Sequence, residues 1–250
     1  MNGPATGRVA YRGAVYDVTP APGGVCLPNG EVVPEEAVVW LVPFRPRAII
    51  ALGLNYGDHA RELRFEAPPE PIVFFKGPNA LVGHRGTTPR PRSARMMHFE
   101  TELAVVIGRR ARFVPERDAY AVVAGYTVAN DYAVRDDLEN YYRPNLRAKN
   151  RDRSTPIGPW LVASEAVPDP MNLPLRTVVN GRIVQEGNTR DMLYGIPEII
   201  AYLSRHMTLD AGDVILTGTP KGVENVVAGD VVESIIDGVG RLLNTLVDDG

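Results

Sequence analysis

Two glutamates separated by one residue follow a histidine in the segment HFETELAVVIG, residues 98–108. Side chains alternate along a β-strand, so a strand here places His98, Glu100 and Glu102 on one face. Two carboxylates on one face repel each other, and a divalent cation is the simplest group that offsets this repulsion. An exposed edge strand with solvated glutamates would give the same pattern, so this segment alone leaves both interpretations open.

A third acidic residue follows another apolar run. The segment AVVAGYTVAN ends at the polar pair Asn130–Asp131, where a loop is expected to begin. Three carboxylates in a chain with a single cysteine, Cys26, favour a hard ion such as Mg²⁺ or Mn²⁺ over zinc. Such an ion would keep coordination positions for water or for a substrate.

A histidine and a glutamate lie three residues apart in the segment NYGDHARE, residues 55–62. On a helix, His59 and Glu62 would be neighbours on one face. The carboxylate can hold the imidazole in one tautomer and raise its basicity, which makes a general acid/base pair. A surface helix with an exposed histidine and glutamate is the alternative.

Composition limits the protein class. The 250 residues are 44% hydrophobic and 23% charged, which is enough for one large domain or one domain with a small appendage. The formal net charge of −3 provides no field that would attract nucleic acid or an anionic membrane. No apolar run approaches the roughly 20 residues of a membrane span, and the amino terminus has no signal-peptide pattern, so a cytoplasmic location is expected.

The elements that must position these residues are predicted to be short strands. The chain has 24 glycines and 22 prolines, which favours many short elements joined by turns. Asn180–Gly181, between β-branched runs, predicts a type I′ hairpin. The fold class expected is β-rich α+β, with a small amino-terminal β module at 1–45 and a main domain at 46–250. Helices are predicted around residues 59–63, 135–142 and 196–204.

Several separated segments together resemble one protein family. They are ALGLNYGDHARE, PIVFFKGPNALVGH, HFETELAVVIG, AGYTVANDYAVRD, STPIGPWLV and ILTGTPKGV. Their order and spacing resemble the fumarylacetoacetate hydrolase family over about residues 46–246. The resemblance implies a mixed β-sandwich roll, usually dimeric, with Glu100, Glu102 and Asp131 as metal ligands. It also implies that His59 and Glu62 act as a pair on a mobile segment that closes over substrate.

The resemblance implies roles for four further residues. Lys149 matches a lysine near the metal, where its ammonium can pair with a substrate carboxylate or with developing negative charge. Arg135, Tyr142 and Thr219 match positions that line the substrate pocket. For His98, a place behind the metal ligands and a packed, hydrogen-bonded histidine are both open.

The family chemistry implied is that of 2-oxo acids. A divalent metal can chelate such an acid through its carboxylate and keto oxygen and make the ketone an electron sink. C–C hydrolysis, decarboxylation and isomerisation all use this sink. The segments ENYYRPNLRAKNRD and NTRDMLYGIPEII resemble the branch that acts on 5-carboxymethyl-2-hydroxymuconate and 5-oxopent-3-ene-1,2,5-tricarboxylate in 4-hydroxyphenylacetate degradation. Leu138, where fumarylacetoacetate hydrolase itself typically has a glutamine, is an argument against hydrolysis.

Three alternatives stay open at this stage. The same metal site could hydrolyse an acylpyruvate of the fumarylpyruvate type or decarboxylate oxaloacetate. In a third alternative, the chain is a catalytically silent structural subunit of a paired isomerase/decarboxylase, although it retains all three acidic residues. The expected partners are a small 2-oxo acid and either a second copy of the chain or a homologous subunit, with no nucleic acid and no membrane.

Overall fold

The computed structural model describes residues 4–62, 66–138 and 145–249. The helices are α1 Gly57–Glu62, α2 Leu146–Lys149 and α3 Ile196–His206. The strands are β1 Ala5–Tyr11, β2 Ala14–Ala21, β3 Gly24–Cys26, β4 Val32–Val33, β5 Val39–Leu41, β6 Ile49–Gly53, β7 Ile72–Lys76, β8 Leu81–Val82, β9 Gly86–Arg90, β10 Met97–His98, β11 Thr101–Ile107, β12 Val123–Asn130, β13 Ala133–Val134, β14 Thr155–Ala163, β15 Pro174–Val179, β16 Arg182–Asn188, β17 Val214–Leu216, β18 Val231–Ile236 and β19 Gly240–Asp248.

The strands form a large sheet and a smaller one, which confirms the β-rich prediction. The large sheet has twelve strands, ten of them in the order β4-β3-β2-β1-β14-β12-β11-β17-β6-β7, while β5 pairs with β1 and β8 with β14. The smaller sheet has the order β16-β15-β18-β19-β9 and packs against β11, β12 and β14. Strands β10 and β13 form a separate pair.

Strand β11 lies in the middle of the large sheet, and all its residues are buried. Leu103, Val105 and Ile107 belong to the main core, which also holds the apolar face of α3. Ala104 and Val106 pack on the other face in a second core. A strand with both faces covered has no solvated side, so Glu102 enters the interior with the rest of β11.

The smaller sheet contains the predicted hairpin. Asn180 and Gly181 form the two-residue turn between β15 and β16, with φ angles of 50° and 82°. Positive φ at both central residues is what a type I′ turn requires, and Asn followed by Gly meets it with little strain. The prediction from the Asn-Gly pair is confirmed.

The helices agree partly with the predictions. Helix α3 starts at Ile196 with Pro197 in its first turn, a position where a missing N–H costs nothing. The predicted helix at 135–142 is a 3₁₀ turn over Arg135–Asp137, and its last residues lie outside the described ranges. No helix in the described ranges has the length and apolarity needed to cross a membrane.

The first strand joins the amino-terminal residues to the main sheet. Ala5 pairs with Val162 of β14, while β2 and β5 flank β1. The division at residue 45 falls between β5 and β6, and it stays a prediction.

Candidate active site

Three buried carboxylates meet at one end of the central strands. Glu100, Glu102 and Asp131 each place an oxygen within 4.8 Å of the others. Glu102 and Asp131 are at most 1% exposed, and Glu100 is 9% exposed. The cluster predicted from Glu100, Glu102 and Asp131 is therefore present as a spatial group, and it is buried.

Backbone pairing between β11 and β12 sets the positions of these carboxylates. Thr101 pairs with Asn130, so the residues next to them, Glu100 and Asp131, lie side by side. The N–H of Asp131 donates to the carbonyl of Glu100 at 2.9 Å. The side-chain oxygen of Asn130 accepts the N–H of Glu100 at 2.9 Å.

One detail of the strand prediction is wrong. The structure has no continuous strand from His98 to Glu102, because β10 ends at His98 and β11 begins at Thr101. The physical reason is a hydrogen bond to the Asn130 side chain. The Glu100 N–H donates to Oδ1 of Asn130, so it does not donate to a backbone carbonyl of a neighbouring strand. Glu100 and Glu102 still meet despite this interruption.

Two buried lysines partly neutralise the negative charge of the carboxylates. Lys149, on α2, donates to Oε2 of Glu100 at 2.6 Å and to Oδ2 of Asp131 at 2.9 Å. Lys76, the last residue of β7, donates to Oδ1 of Asp131 and to the carbonyl of Lys149. Each oxygen of Asp131 thus faces a different ammonium group.

The pKa values of these groups reflect burial and mutual charge. Burial raises the pKa of Glu102 well above its usual range, and neighbouring Asp131 and Glu100 raise it further. Burial would also raise the pKa of Asp131, but the ammonium groups of Lys149 and Lys76 lower it overall. Burial lowers the pKa of Lys76, whereas attraction to Asp131 and Glu100 outweighs burial and raises the pKa of Lys149.

The donor set fits a hard divalent cation. Oε2 of Glu102 accepts the N–H of Gly218 at 2.6 Å, while Oε1 is buried and has no hydrogen-bond partner among the described residues. A buried carboxylate oxygen without a partner is costly unless a cation faces it. Carboxylate oxygens alone suit Mg²⁺ or Mn²⁺. Glu100, Glu102 and Asp131 are the residues that would hold such an ion.

The predicted His59–Glu62 pair is formed. Nδ1 of His59 lies 3.0 Å from Oε2 of Glu62, one helical turn along α1. His59 as a whole residue is 4% exposed. The other carboxylate oxygen, Oε1 of Glu62, accepts the N–H of Gly222 at 2.9 Å. Glu62 therefore holds the imidazole and is itself held by a backbone donor.

A loop over residues 218–222 connects the pair to the acidic cluster. Gly218, at one end, binds Glu102 through its backbone N–H, and Gly222, at the other end, binds Glu62 in the same way. The two ends of a five-residue stretch thus contact the two groups, one end each. Because five extended residues span at most about 18 Å, the His59–Glu62 pair and the three carboxylates lie in one region of the protein.

Three predicted pocket residues have different outcomes. Thr219 lies in the connecting loop, is 2% exposed and accepts a hydrogen bond from Nε2 of Gln185 at 3.0 Å. Arg135 begins the 3₁₀ turn, and within the described ranges no hydrogen bond or ion pair joins its guanidinium to the acidic cluster. Tyr142 lies outside the described residues.

His98 is a fully buried neighbour of the cluster. Its Nδ1 lies 3.3 Å from the carbonyl of Phe99 and 3.5 Å from Oε1 of Glu100. Burial lowers the pKa of His98 to about 4. A neutral imidazole at this place adds no positive charge to the site at neutral pH.

Lys76 was not predicted, although a signal for it exists. It is the polar last residue of the segment PIVFFK. Asp131 has the same kind of position, directly after the apolar run of β12. A polar residue at the end of an apolar run pointed to Asp131, and the same reasoning applied to the run that forms β7 would have found Lys76.

Comparison with known proteins gives one family. The protein-family model described as fumarylacetoacetate (FAA) hydrolase C-terminal matches residues 48–247. The 4-hydroxyphenylacetate degradation bifunctional isomerase/decarboxylase of Salmonella dublin is 60% identical over 199 residues, which are 80% of this chain and 46% of that protein. The chain spans about half the length of the isomerase/decarboxylase relatives that it matches.

Solved structures agree with this match. The structure of 5-carboxymethyl-2-hydroxymuconate delta-isomerase from Mycobacterium smegmatis has a TM-score of 0.87 and 36% identity, covering 99% of this chain and 100% of that one. The structure of fumarylpyruvate hydrolase from Pseudomonas aeruginosa in complex with Mn²⁺ and pyruvate has a TM-score of 0.76 and 32% identity, covering 82% and 91%. The family model matches well over half of the chain, and the chain belongs to the fumarylacetoacetate hydrolase family.

Proposed function

We propose that this chain decarboxylates or isomerises a 2-oxo polycarboxylic acid, of the type of 5-oxopent-3-ene-1,2,5-tricarboxylate or 5-carboxymethyl-2-hydroxymuconate, with Mg²⁺ or Mn²⁺. The observation that carries the proposal is the buried cluster of Glu100, Glu102 and Asp131, joined by one short loop to a His–Glu pair. The similarity to the isomerase/decarboxylase of Salmonella dublin supports the substrate class.

The metal ion would be held by the three carboxylates and would supply a Lewis acid for the keto oxygen of the substrate. The protein's own part is to keep these ligands in place before the ion and substrate arrive. Asn130 and Gly218 do so by hydrogen bonds to the backbone of Glu100 and the side chain of Glu102. Ligands that are already ordered lose little entropy on binding.

His59 is the proposed proton carrier. With Nδ1–H donated to the Glu62 carboxylate, Nε2 of the imidazole is the atom that accepts or delivers a proton. In isomerisation it would move a proton between two carbons of the substrate. After decarboxylation it would protonate the carbon chain. Burial of the imidazole keeps bulk water from competing for that proton.

Lys149 is the proposed source of fixed positive charge. Its ammonium is buried beside Glu100 and Asp131, and attraction to these carboxylates raises its pKa, so it stays charged at neutral pH. A fixed cation stabilises negative charge that develops on the substrate without solvent having to reorganise. In the tricarboxylate, loss of CO₂ sends electrons through the alkene to the keto oxygen, and this step needs no attacking water.

The chain is also proposed to work as a homodimer or paired with a homologous subunit. The isomerase/decarboxylase relatives are about twice as long as the stretch of them that this chain matches, which supports a paired arrangement. Light scattering of the purified protein after size-exclusion chromatography measures this directly. A monomer at enzyme-assay concentration that retains full activity would contradict it.

The decisive experiment is an assay of the purified protein on a panel of 2-oxo acids, with EDTA and with Mg²⁺ or Mn²⁺. We expect CO₂ release from the tricarboxylate, or an ultraviolet change from isomerisation of the muconate, only with the metal. Glu100→Gln should abolish this turnover, while Glu186→Gln, at an exposed position of β16, should not. Two carbon fragments from an acylpyruvate would identify a hydrolase instead. A protein that binds neither metal and converts nothing would be a silent subunit.

A further inference from the structure

Beneath the active site, buried polar side chains connect the two sheets. Thr101, which lies between the two glutamates of the cluster, points to the opposite side of β11 and contacts Ser234 and Thr177, with each hydroxyl pair 2.6 Å apart. The hydroxyl of Thr177 donates to Oε1 of Gln185 at 2.6 Å. All four side chains are at most 2% exposed. This set ends at Gln185, which contacts the connecting loop.

Both the oxygen and the nitrogen of the Gln185 side-chain amide form hydrogen bonds. Its Nε2 donates to Oγ1 of Thr219 at 3.0 Å and to the carbonyl of Pro220 at 2.8 Å. A backbone carbonyl can only accept, so the NH₂ end of the amide must face Pro220. This argument sets the orientation of the amide independently of any choice between its oxygen and nitrogen. The same NH₂ group is then the donor to Thr219.

The direction of that hydrogen bond determines what Thr219 can do. Because Oγ1 of Thr219 accepts from Gln185, the hydroxyl proton of Thr219 is not used in this contact. Among the residues that the structure describes, the Thr219 hydroxyl donates no hydrogen bond, and its one side-chain contact is the bond accepted from Gln185. A buried hydroxyl oriented in this way is prepared to donate to an acceptor that comes from outside the protein.

The location of Thr219 points to the identity of this acceptor. Thr219 follows Gly218, whose N–H binds Glu102, and it precedes Gly222, whose N–H binds Glu62. It is therefore situated between the metal-binding carboxylates and the acid/base pair. A 2-oxo acid bound there presents carboxylate oxygens, which are strong acceptors for a hydroxyl donor.

We propose that Gln185 is a positioning residue, which holds the Thr219 hydroxyl as a hydrogen-bond donor to a carboxylate of the substrate. This inference rests on the proposed function, since it concerns the same site. Gln185 does not touch the substrate itself. It acts through Thr219, and it thereby selects for an anionic acceptor at this position.

The test compares Gln185→Glu and Gln185→Met with the wild type. Glutamate has nearly the same shape but no N–H. An ionised carboxylate can only accept, and a protonated one has a single O–H, which the Pro220 carbonyl takes up, so in either form Thr219 donates to the introduced carboxyl group and not to substrate. Methionine removes the contact without adding charge. For both variants we expect KM, and the Ki of pyruvate as a probe, to rise about tenfold, the usual effect of losing one hydrogen bond to a charged group. The affinity for Mn²⁺ should stay within about twofold of the wild type, since neither change touches a metal ligand.

A Thr219→Val background separates positioning from a general structural effect. Without the hydroxyl, adding Gln185→Glu should raise the pyruvate Ki no further, whereas Thr219→Ser should keep wild-type binding in the presence of Gln185. Equal losses from Gln185→Glu in both backgrounds would overturn the proposal. So would Gln185 variants with unchanged KM and Ki. A wild-type protein that binds Mn²⁺ but neither binds pyruvate nor converts any 2-oxo acid would overturn the proposed function, and this inference with it.

Discussion

The backbone N–H of Gly218 donates to Oε2 of Glu102 at 2.6 Å, while Oε1 of the same carboxylate is buried and has no partner among the described residues. One oxygen is thus fixed by the backbone, and the carboxylate lies with an oxygen within 4.8 Å of oxygens of Glu100 and Asp131. Burial and these two neighbours raise the pKa of Glu102. Without a metal ion, ionisation of Glu102 therefore lowers the free energy of unfolding of the protein.

Replacement of Glu102 should affect stability and metal binding in opposite directions. In Glu102→Gln, the amide oxygen can still accept from Gly218, and one of three repelling charges is removed. We expect the free energy of unfolding in EDTA to be equal to or higher than that of the wild type, and the affinity for Mn²⁺ to fall at least about tenfold. Urea unfolding and calorimetric titration measure the two quantities. Glu186→Gln is the exposed control, and undiminished Mn²⁺ affinity in Glu102→Gln would contradict the ligand assignment.

Loss of the His59 imidazole should affect turnover but not metal binding. His59→Ala removes the proposed proton carrier, and we expect the rate to fall by roughly 10²–10⁴, the usual contribution of a general acid/base. In Glu62→Gln we expect a smaller fall in the rate, because the imidazole remains but is held less firmly in its orientation. His206→Ala, at an exposed position of α3, controls for the loss of a histidine. A rate within twofold of the wild type would show that the pair is structural.

Lys76 should stabilise the metal-free protein. Its side chain is fully buried against Asp131. In Lys76→Met, Asp131 loses one of two cationic partners, and breaking a buried pair costs about 3 kcal/mol or more. We expect a lower free energy of unfolding in EDTA and a larger stabilisation by saturating Mn²⁺ than in the wild type, because the metal ion replaces the missing charge. Lys221→Met, at an exposed position, is the control. If saturating Mn²⁺ raised the free energy of unfolding equally in the wild type and in Lys76→Met, the proposed role of Lys76 would be contradicted.

Local pattern was enough to predict much of the geometry of the candidate site. The end of an apolar run located Asp131, alternation along a strand grouped Glu100 with Glu102, and helical spacing paired His59 with Glu62. Each of these relationships lies within a few residues or at the end of one element. The Asn180–Gly181 hairpin was predicted for the same reason, since the required φ angles belong to those two residues alone.

Contacts between distant elements were not predictable in this way. Gln185 is buried because β16 lies against the loop that holds Thr219 and Pro220, a relation that strand alternation does not indicate. The strand interruption at Glu100 depends on the side chain of Asn130, thirty positions further along the chain. Pairing of Ala5 with Val162 likewise depends on the arrangement of the whole sheet.

His84 provides a pH dependence that is separate from the site. Its Nδ1 accepts the N–H of Leu243 at 3.0 Å, and its ring packs edge-on against Trp40 with centroids 5.2 Å apart. Burial, with smaller effects of Arg85 and Arg241, lowers the pKa of His84 from 6.5 to about 3. In the folded protein the imidazole is therefore neutral throughout the mildly acidic range.

This lowered pKa makes stability fall as the pH decreases. Above pH 6.5 His84 is neutral in both states, so its contribution is fully present. Below pH 6.5 the unfolded state binds a proton that the folded state does not bind until about pH 3, and stability declines by up to about 1.4 kcal/mol per pH unit. Between pH 7.5 and 5 the loss from this one group is about 2 kcal/mol.

Replacement of His84 by asparagine should remove this part of the pH dependence. The side-chain oxygen of asparagine can accept from Leu243, but it does not titrate. We expect the decrease in the free energy of unfolding between pH 7.5 and 5 to be about 2 kcal/mol smaller in His84→Asn than in the wild type. Urea unfolding at both pH values measures it. Because all other titrating groups, including His98, are common to both proteins, the difference isolates His84. Parallel pH profiles would mean that His84 is protonated in the folded protein as easily as in the unfolded one.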